Sequence, residues 1–185
     1  MAEDRDKSGP GRAEDFARQA EAESTGIVRE FWDFLKNNNI ANRGRADGNK
    51  GEQYVGLLGE TIVKQYLGID TKFSNGFDGG YDLKYNGIKV DVKTMGRMVN
   101  PKPYYVNNFI AYQSDFKCDA YIFCSINKKT SELTICGWVT KDELLERANL
   151  YEKGTIRTRT DGSTFELKAP TYEIQNDRLN SIETF

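Results

Sequence analysis

The dipeptide Asn86-Gly87, inside the stretch Gly80–Thr94 (GYDLKYNGIKVDVKT), constrains this chain more than any other feature. Both central residues of a type I′ turn need positive φ, and Asn-Gly accepts that conformation readily. A two-residue turn here fixes a register, placing Tyr85 opposite Ile88, Lys84 opposite Lys89, Leu83 opposite Val90 and Asp82 opposite Asp91. Side chains directly opposite share a face, with Cβ atoms on the order of 5 Å apart. Asp82 and Asp91 are therefore expected as neighbours, and Lys93, two residues on, points the same way. The other face carries Leu83, Tyr85, Ile88, Val90 and Val92, ready for burial. One face is built for packing, and the other gathers two carboxylates and an ammonium.

The chain of 185 residues contains no histidine. That excludes Ser-His-Asp and Cys-His hydrolases, His-ligated zinc enzymes and His-based nucleases. Acid–base or metal chemistry must come from Asp, Glu, Lys, Tyr or thiols. Cys118, Cys124 and Cys136 are odd in number and form no CxxC pair, which points away from a disulfide framework or zinc knuckle and toward a reducing cytoplasm. No apolar run approaches the roughly 18 residues of a membrane helix, and MAEDRDKSGPGR has no signal-peptide core. The net charge is −2, but it is unevenly spread. Residues 1–36 hold six Lys/Arg and nine Asp/Glu, whereas residues 64–129 hold ten and six. The segment with the carboxylates is mildly basic, which suits a phosphate-bearing substrate.

Taken in order, residues 1–15 are polar and Gly/Pro-punctuated and read as a disordered tail. Residues 16–48 hold a helix, with Ile27, Val28, Phe31, Trp32 and Leu35 at three- and four-residue steps, then the linker ANRGRADGN. That helix is expected to pack on the core, or else to serve as a homodimerisation arm. Residues 49–185 form the main domain. Lys50–Leu67 is a helix stopped by Gly68, and its Gly56 and Gly59 thin one side as if another backbone approached. Glu60 lies on that side. Asp70–Gly80 is a glycine-rich loop, and its Asp78 is an alternative carboxylate to Asp82. Pro101 and Pro103 forbid a regular helix, Tyr104–Asn108 reads as extended, and Phe109–Phe116 as a short helix. Ala120–Ile126 and Leu133–Val139 are antiparallel strands. Thr140 caps a helix over Lys141–Asn149. Ile156–Lys168 is a second hairpin, closed at Asp161-Gly162, with Arg157 and Arg159 sharing a face with Thr164 and Glu166. Tyr172–Phe185 reads as an extended end.

Two aspartates facing each other across a hairpin are poor stability design unless something positive lies between them. As an exposed ion cluster with Lys93 they contribute only about 0–1 kcal/mol. A divalent cation is the better occupant. Two carboxylates, a backbone carbonyl such as that of Val92 and a third carboxylate suit Mg²⁺, which takes oxygen ligands and keeps several waters. Such an ion polarises a phosphodiester and lowers the pKa of bound water, and Lys93 beside it can neutralise charge growing in the transition state. None of this requires histidine.

The order Gly59-Glu60 on a helix, Asp82 on a first strand and Asp91-Val92-Lys93 on a second resembles the PD-(D/E)xK nuclease superfamily. The resemblance spans roughly Lys50–Thr140. It implies an α/β fold with a central mixed sheet of about four to five strands flanked by helices, a restriction-endonuclease-like core. It further implies a Mg²⁺-dependent deoxyribonuclease, an endonuclease before an exonuclease, with Mn²⁺ as substitute. Asp82, Asp91 and Glu60 would hold the metal, and Lys93 would be the catalytic lysine. Small stand-alone proteins of similar layout occur in phages and mobile elements. Gly80-Tyr81 stands where the motif has its nominal proline, and Gln113 is the one candidate for a further catalytic residue in the next helix. The rival is a catalytically silent member that binds nucleic acid or protein; the intact Asp/Asp/Lys set argues against silence. An enzyme acting on free nucleotides lacks a phosphate loop.

Overall fold

The turn at the centre of the chain forms as its sequence requires, with φ of 48° at Asn86 and 87° at Gly87. It joins β1 (Leu83–Tyr85) to β2 (Ile88–Arg97), and the ladder pairs Tyr85 with Ile88, Lys84 with Lys89 and Leu83 with Val90. The computed structural model describes residues 50–70, 80–159 and 162–185. Of these, 50–70 belong to one unit and 80–185 to a second. The proposed tail, the N-terminal helix and Asp78 lie outside the described residues.

The first unit contains α1, Lys50–Tyr66, in which Val55, Leu58 and Val63 are buried. Its chain leaves the helix through Gly68 at φ 68°, the left-handed stop expected there. A Cβ built on Gly56 meets no described atom within 4 Å.

In the second unit a mixed four-stranded sheet has the order β1-β2-β4-β5, with β4 spanning Ala120–Asn127 and β5 Glu132–Thr140. β4 runs parallel to β2 from Val90↔Ala120 to Arg97↔Asn127, and antiparallel to β5 with a bulge after Phe123. Every residue of β4 is buried, as a central strand covered on both faces demands, and its near-continuous apolar sequence follows from that.

The parallel crossover carries β3 (Val106–Ile110) and a 3₁₀ turn over Ala111–Asp115, in place of a short helix over Phe109–Phe116. β3 belongs to a second, antiparallel sheet of order β3-β9-β6, with β6 at Asn149–Tyr151 and β9 at Thr171–Gln175. The stretch that reads in sequence as an extended end thus contains the central strand of a sheet. Its partners lie over 60 residues and about 20 residues upstream, separations that local periodicity does not encode.

Phe109 of β3 meets Tyr121 of β4 edge-on, with ring centroids 4.7 Å apart. Around them Phe123, Val139, Leu144, Ile174 and Cys118 complete one apolar core. Each of the largest of these side chains contributes about 1.5–3 kcal/mol by its burial. Leu144 comes from α2 (Lys141–Arg147), which Thr140 caps in full: its hydroxyl accepts from the Glu143 N–H, and the Glu143 carboxylate accepts from the Thr140 N–H.

The last ribbon pairs β7 (Ile156–Thr158) with β8 (Thr164–Glu166), and here the register departs from the sequence expectation. Arg157 lies opposite Phe165, and the Arg159 N–H donates to the Ser163 carbonyl, so three residues rather than two form the loop. One extra residue moves every side chain to the other face. Arg157 and Arg159 do not share a face with Thr164 and Glu166. Among the described residues, no helix is long and apolar enough to cross a membrane.

Candidate functional site

β2 runs between β1 and β4, so alternation along it sorts its side chains onto two faces. Val90 and Val92 lie on one, where both are buried, while Ile88 at the turn stays 40% exposed. Asp91 and Lys93 lie on the other, beside Tyr121 and Phe123 of the parallel neighbour β4. That face meets the second sheet, so the charged pair stands at the margin of the apolar core. Asp91 is only 5% exposed. Lys93 Nζ donates to Asp91 Oδ2 at 2.8 Å and sits 5.7 Å from the centroid of the Phe109 ring. Asp91 is buried and Lys93 partly buried, so the pair is not the surface ion cluster that the sequence also allows.

Asp82 arrives by a different route from the one its position suggests. The β1–β2 ladder ends at Leu83–Val90, one pair short of Asp82–Asp91. The Asp82 N–H donates to the Val90 carbonyl at 2.8 Å, and its carboxylate Oδ2 accepts from the Val92 N–H at 2.6 Å. A side chain thus takes the place of a backbone acceptor where the ladder stops. Val92 is the residue between Asp91 and Lys93. The Asp82 carboxylate is anchored to the backbone that carries the other two groups.

Glu60 belongs to α1, in the first unit, and there its carboxylate lies 3.9 Å from Lys64 Nζ, one turn on. Gln113 sits in the 3₁₀ turn, where its carbonyl accepts from the Phe116 N–H. Among the described residues no hydrogen bond joins the Gln113 side chain to Asp91 or Lys93.

Sequence reasoning missed two neighbours of Asp91. The Tyr121 hydroxyl is buried with no hydrogen-bond partner of good geometry among the described residues. Its pKa is pushed far up by burial, and further by the Cys118 thiol and Asp91 beside it. Burial likewise raises the Cys118 thiol, which Tyr121 and Lys93 partly offset. Both groups are neutral at pH 7. The signal was a tyrosine in an otherwise apolar strand, AYIFCSI, but placing it beside Asp91, 30 residues upstream, needs the parallel register of β2 and β4.

The hairpin face is also cationic. Lys84 and Lys89 are direct cross-strand partners, and alternation puts Lys89 on the Asp91 face. Lys89 Nζ lies 5.4 Å from the Tyr81 ring centroid. Lys84, Lys89 and Lys93 therefore share one face of the hairpin with Asp91.

The donor chemistry fits a hard cation. Among the described residues no three His, Cys, Asp or Glu side chains cluster as a metal cage. Mg²⁺, however, is commonly held through one or two carboxylates together with substrate phosphates. Asp82 and Asp91 are the two carboxylates that could hold such an ion, and a carboxylate with about four lone-pair sites can accept from an N–H and still face a cation. The chain matches no protein-family model, no curated protein and no solved structure.

Proposed function

We propose that this chain is a Mg²⁺-dependent nuclease of the PD-(D/E)xK kind, hydrolysing phosphodiester bonds in DNA. The observation that carries the reading is the Asp91–Lys93 pair. The two residues stand two apart on one strand, so their contact ties no separate elements together. Yet withdrawing a carboxylate such as that of Asp91 from water costs several kcal/mol. A pair with that cost and no architectural role is best explained by chemistry.

Bound by Asp82 and Asp91, Mg²⁺ or Mn²⁺ would supply Lewis acidity toward the phosphodiester and water. The rest falls to the chain. Asp91 holds the Lys93 ammonium in place, so that it neutralises charge growing on the phosphoryl oxygens without reorganising. The Val92 N–H fixes the direction of the Asp82 carboxylate. Lys84 and Lys89 are like charges facing each other, an unfavourable arrangement alone, and an anionic strand lying over them relieves it.

The burial of Asp91 supports a second reading, a silent member that keeps the pair but only binds nucleic acid or protein. Incubation of the full chain with single-stranded, duplex and branched DNA and with RNA, with Mg²⁺, Mn²⁺ or EDTA, separates the two. The nuclease reading predicts cleavage of DNA that EDTA abolishes and that Asp91→Ala and Lys93→Ala lose. Cleavage that survives EDTA or either substitution overturns the mechanism, and no cleavage of any substrate leaves the binding reading.

A further inference from the structure

Four residues past Lys93, about 13 Å along β2, the strand ends in a loop, residues 98–105, that exposes apolar and aromatic side chains. Met98 is 55% exposed, Val99 48% and Tyr104 52%. The loop that presents them is firmly held. The Asn176 Nδ2 donates to the Lys102 carbonyl, and the Asp177 and Asn176 N–H groups donate to the Pro103 and Tyr105 carbonyls. Within the loop, the Tyr105 N–H donates to the Lys102 carbonyl. Tyr104 is thus held out toward water by a braced backbone, which lowers the ordering cost of binding something to it.

The two aromatic rings meet with a cation beside each. The Arg97 guanidinium lies 5.2 Å from the Tyr105 centroid, Tyr105 meets Tyr104 edge-on at 5.1 Å, and Lys102 Nζ lies 5.8 Å from the Tyr104 centroid. Lys128 reaches the same end of the sheet. Its N–H donates to the Arg97 carbonyl, and its stem crosses Gly96 so closely that a Cβ there would stand 2.3 Å from Cε. A glycine inside a strand often marks such a close approach, and this one makes room for a lysine. Lys102, Lys128 and Lys129 are exposed here against Asp177 and a Glu132 whose carboxylate accepts from Asn100.

We infer that this braced Tyr104–Lys102–Lys128 surface binds single-stranded DNA, with an unpaired base stacking on Tyr104 and lysines on the flanking phosphates. The choice of DNA rests on the nuclease reading above, and the preference for a single strand on the surface itself. An unpaired base offers a free face to an aromatic ring, whereas a duplex keeps its base faces stacked internally. Base–aromatic stacking is sequence-tolerant and is lost on alanine substitution.

The test is binding of fluorescent oligonucleotides to the full chain in EDTA, where no cleavage intervenes. A thymidine oligomer should bind more tightly than a duplex of equal length. Tyr104→Ala should weaken it about tenfold, with Tyr104→Phe close to the parent. The double variant Lys102→Gln/Lys128→Gln should reduce the slope of log affinity against log salt by about 1.4. Gly96→Ala should weaken binding by displacing Lys128. Asp91→Ala should keep the single-strand affinity while losing cleavage, so the two proposals fail separately. Equal or tighter duplex binding, tighter binding of the matching RNA, or an unchanged Tyr104→Ala would each overturn the inference.

Discussion

Two buried carboxylates in this molecule each meet a cation, and they do so in opposite ways. Glu173, in the middle of the second sheet, accepts from Arg157 Nε at 3.1 Å through one oxygen and from Nη2 at 2.7 Å through the other. The guanidinium also lies 4.1 Å from the Tyr151 ring centroid. That fork ties the β7–β8 ribbon to β9 and, through Tyr151, to β6. Planar bidentate geometry of this kind suits a fixed structural joint. Asp91 instead holds a lysine two residues away on its own strand, through one oxygen. Lysine is a point charge on a flexible stem, and the contact joins nothing that the strand does not already join. Glu173–Arg157 organises architecture. Asp91–Lys93 organises charge.

The largest effect that tests this contrast is on cleavage. Asp91→Ala and Lys93→Ala should each lower the DNA cleavage rate by at least about a hundredfold, measured in single turnover. Replacing the pair with apolar residues, Asp91→Val with Lys93→Met, should leave stability unchanged or slightly raised. A denaturant titration that shows this double variant strongly destabilised would make the pair architectural after all.

Next in size is the structural joint. Glu173→Gln leaves the Arg157 cation without its carboxylate and should cost about 3 kcal/mol of unfolding free energy. Its cleavage rate, measured well below the melting temperature, should match the parent. A loss of cleavage at unchanged stability would place Arg157–Glu173 in the reaction and dissolve the contrast.

Smaller still is the helix cap. Thr140→Ala should cost about 1 kcal/mol in the same titration. Glu143 titrates with it, since the Thr140 N–H, chiefly, and Asn180 and Arg147 beside it hold its carboxyl below the ordinary value. A lowered folded pKa gives stability that is present above the unfolded value, near 4.5, and is lost as pH falls through the folded one. Glu143→Gln should therefore flatten the acid limb of stability below about pH 4.5 and leave the pH dependence of cleavage above it unaltered.

Where structure is local, the sequence was a good guide. Asn86-Gly87 dictated the turn and three cross-strand pairs, and Thr140 announced the helix that it caps. β4 and β5 declared themselves as apolar strands joined by a short turn. Where a single residue decides, the reading failed: a three-residue loop inverted the face of Arg157, and a carboxylate capping Val92 ended the first ladder before Asp82. Long-range pairing was the other blind spot. β9 looks like part of an extended end until β3 and β6 flank it, and Tyr121 looks like simple core until the parallel register sets it beside Asp91. Composition reports residue types, and only topology brings them together.

The central claim is that Asp91 and Lys93 are kept for phosphodiester cleavage. The most direct measurement compares the single-turnover rate of Mg²⁺-dependent DNA cleavage by the parent, Asp91→Asn and Glu173→Gln under conditions where all three are folded. We predict cleavage by the parent and by Glu173→Gln at similar rates, and a loss of at least about a hundredfold in Asp91→Asn, where the carboxylate charge alone is gone. Equal rates for Asp91→Asn and the parent would contradict the account.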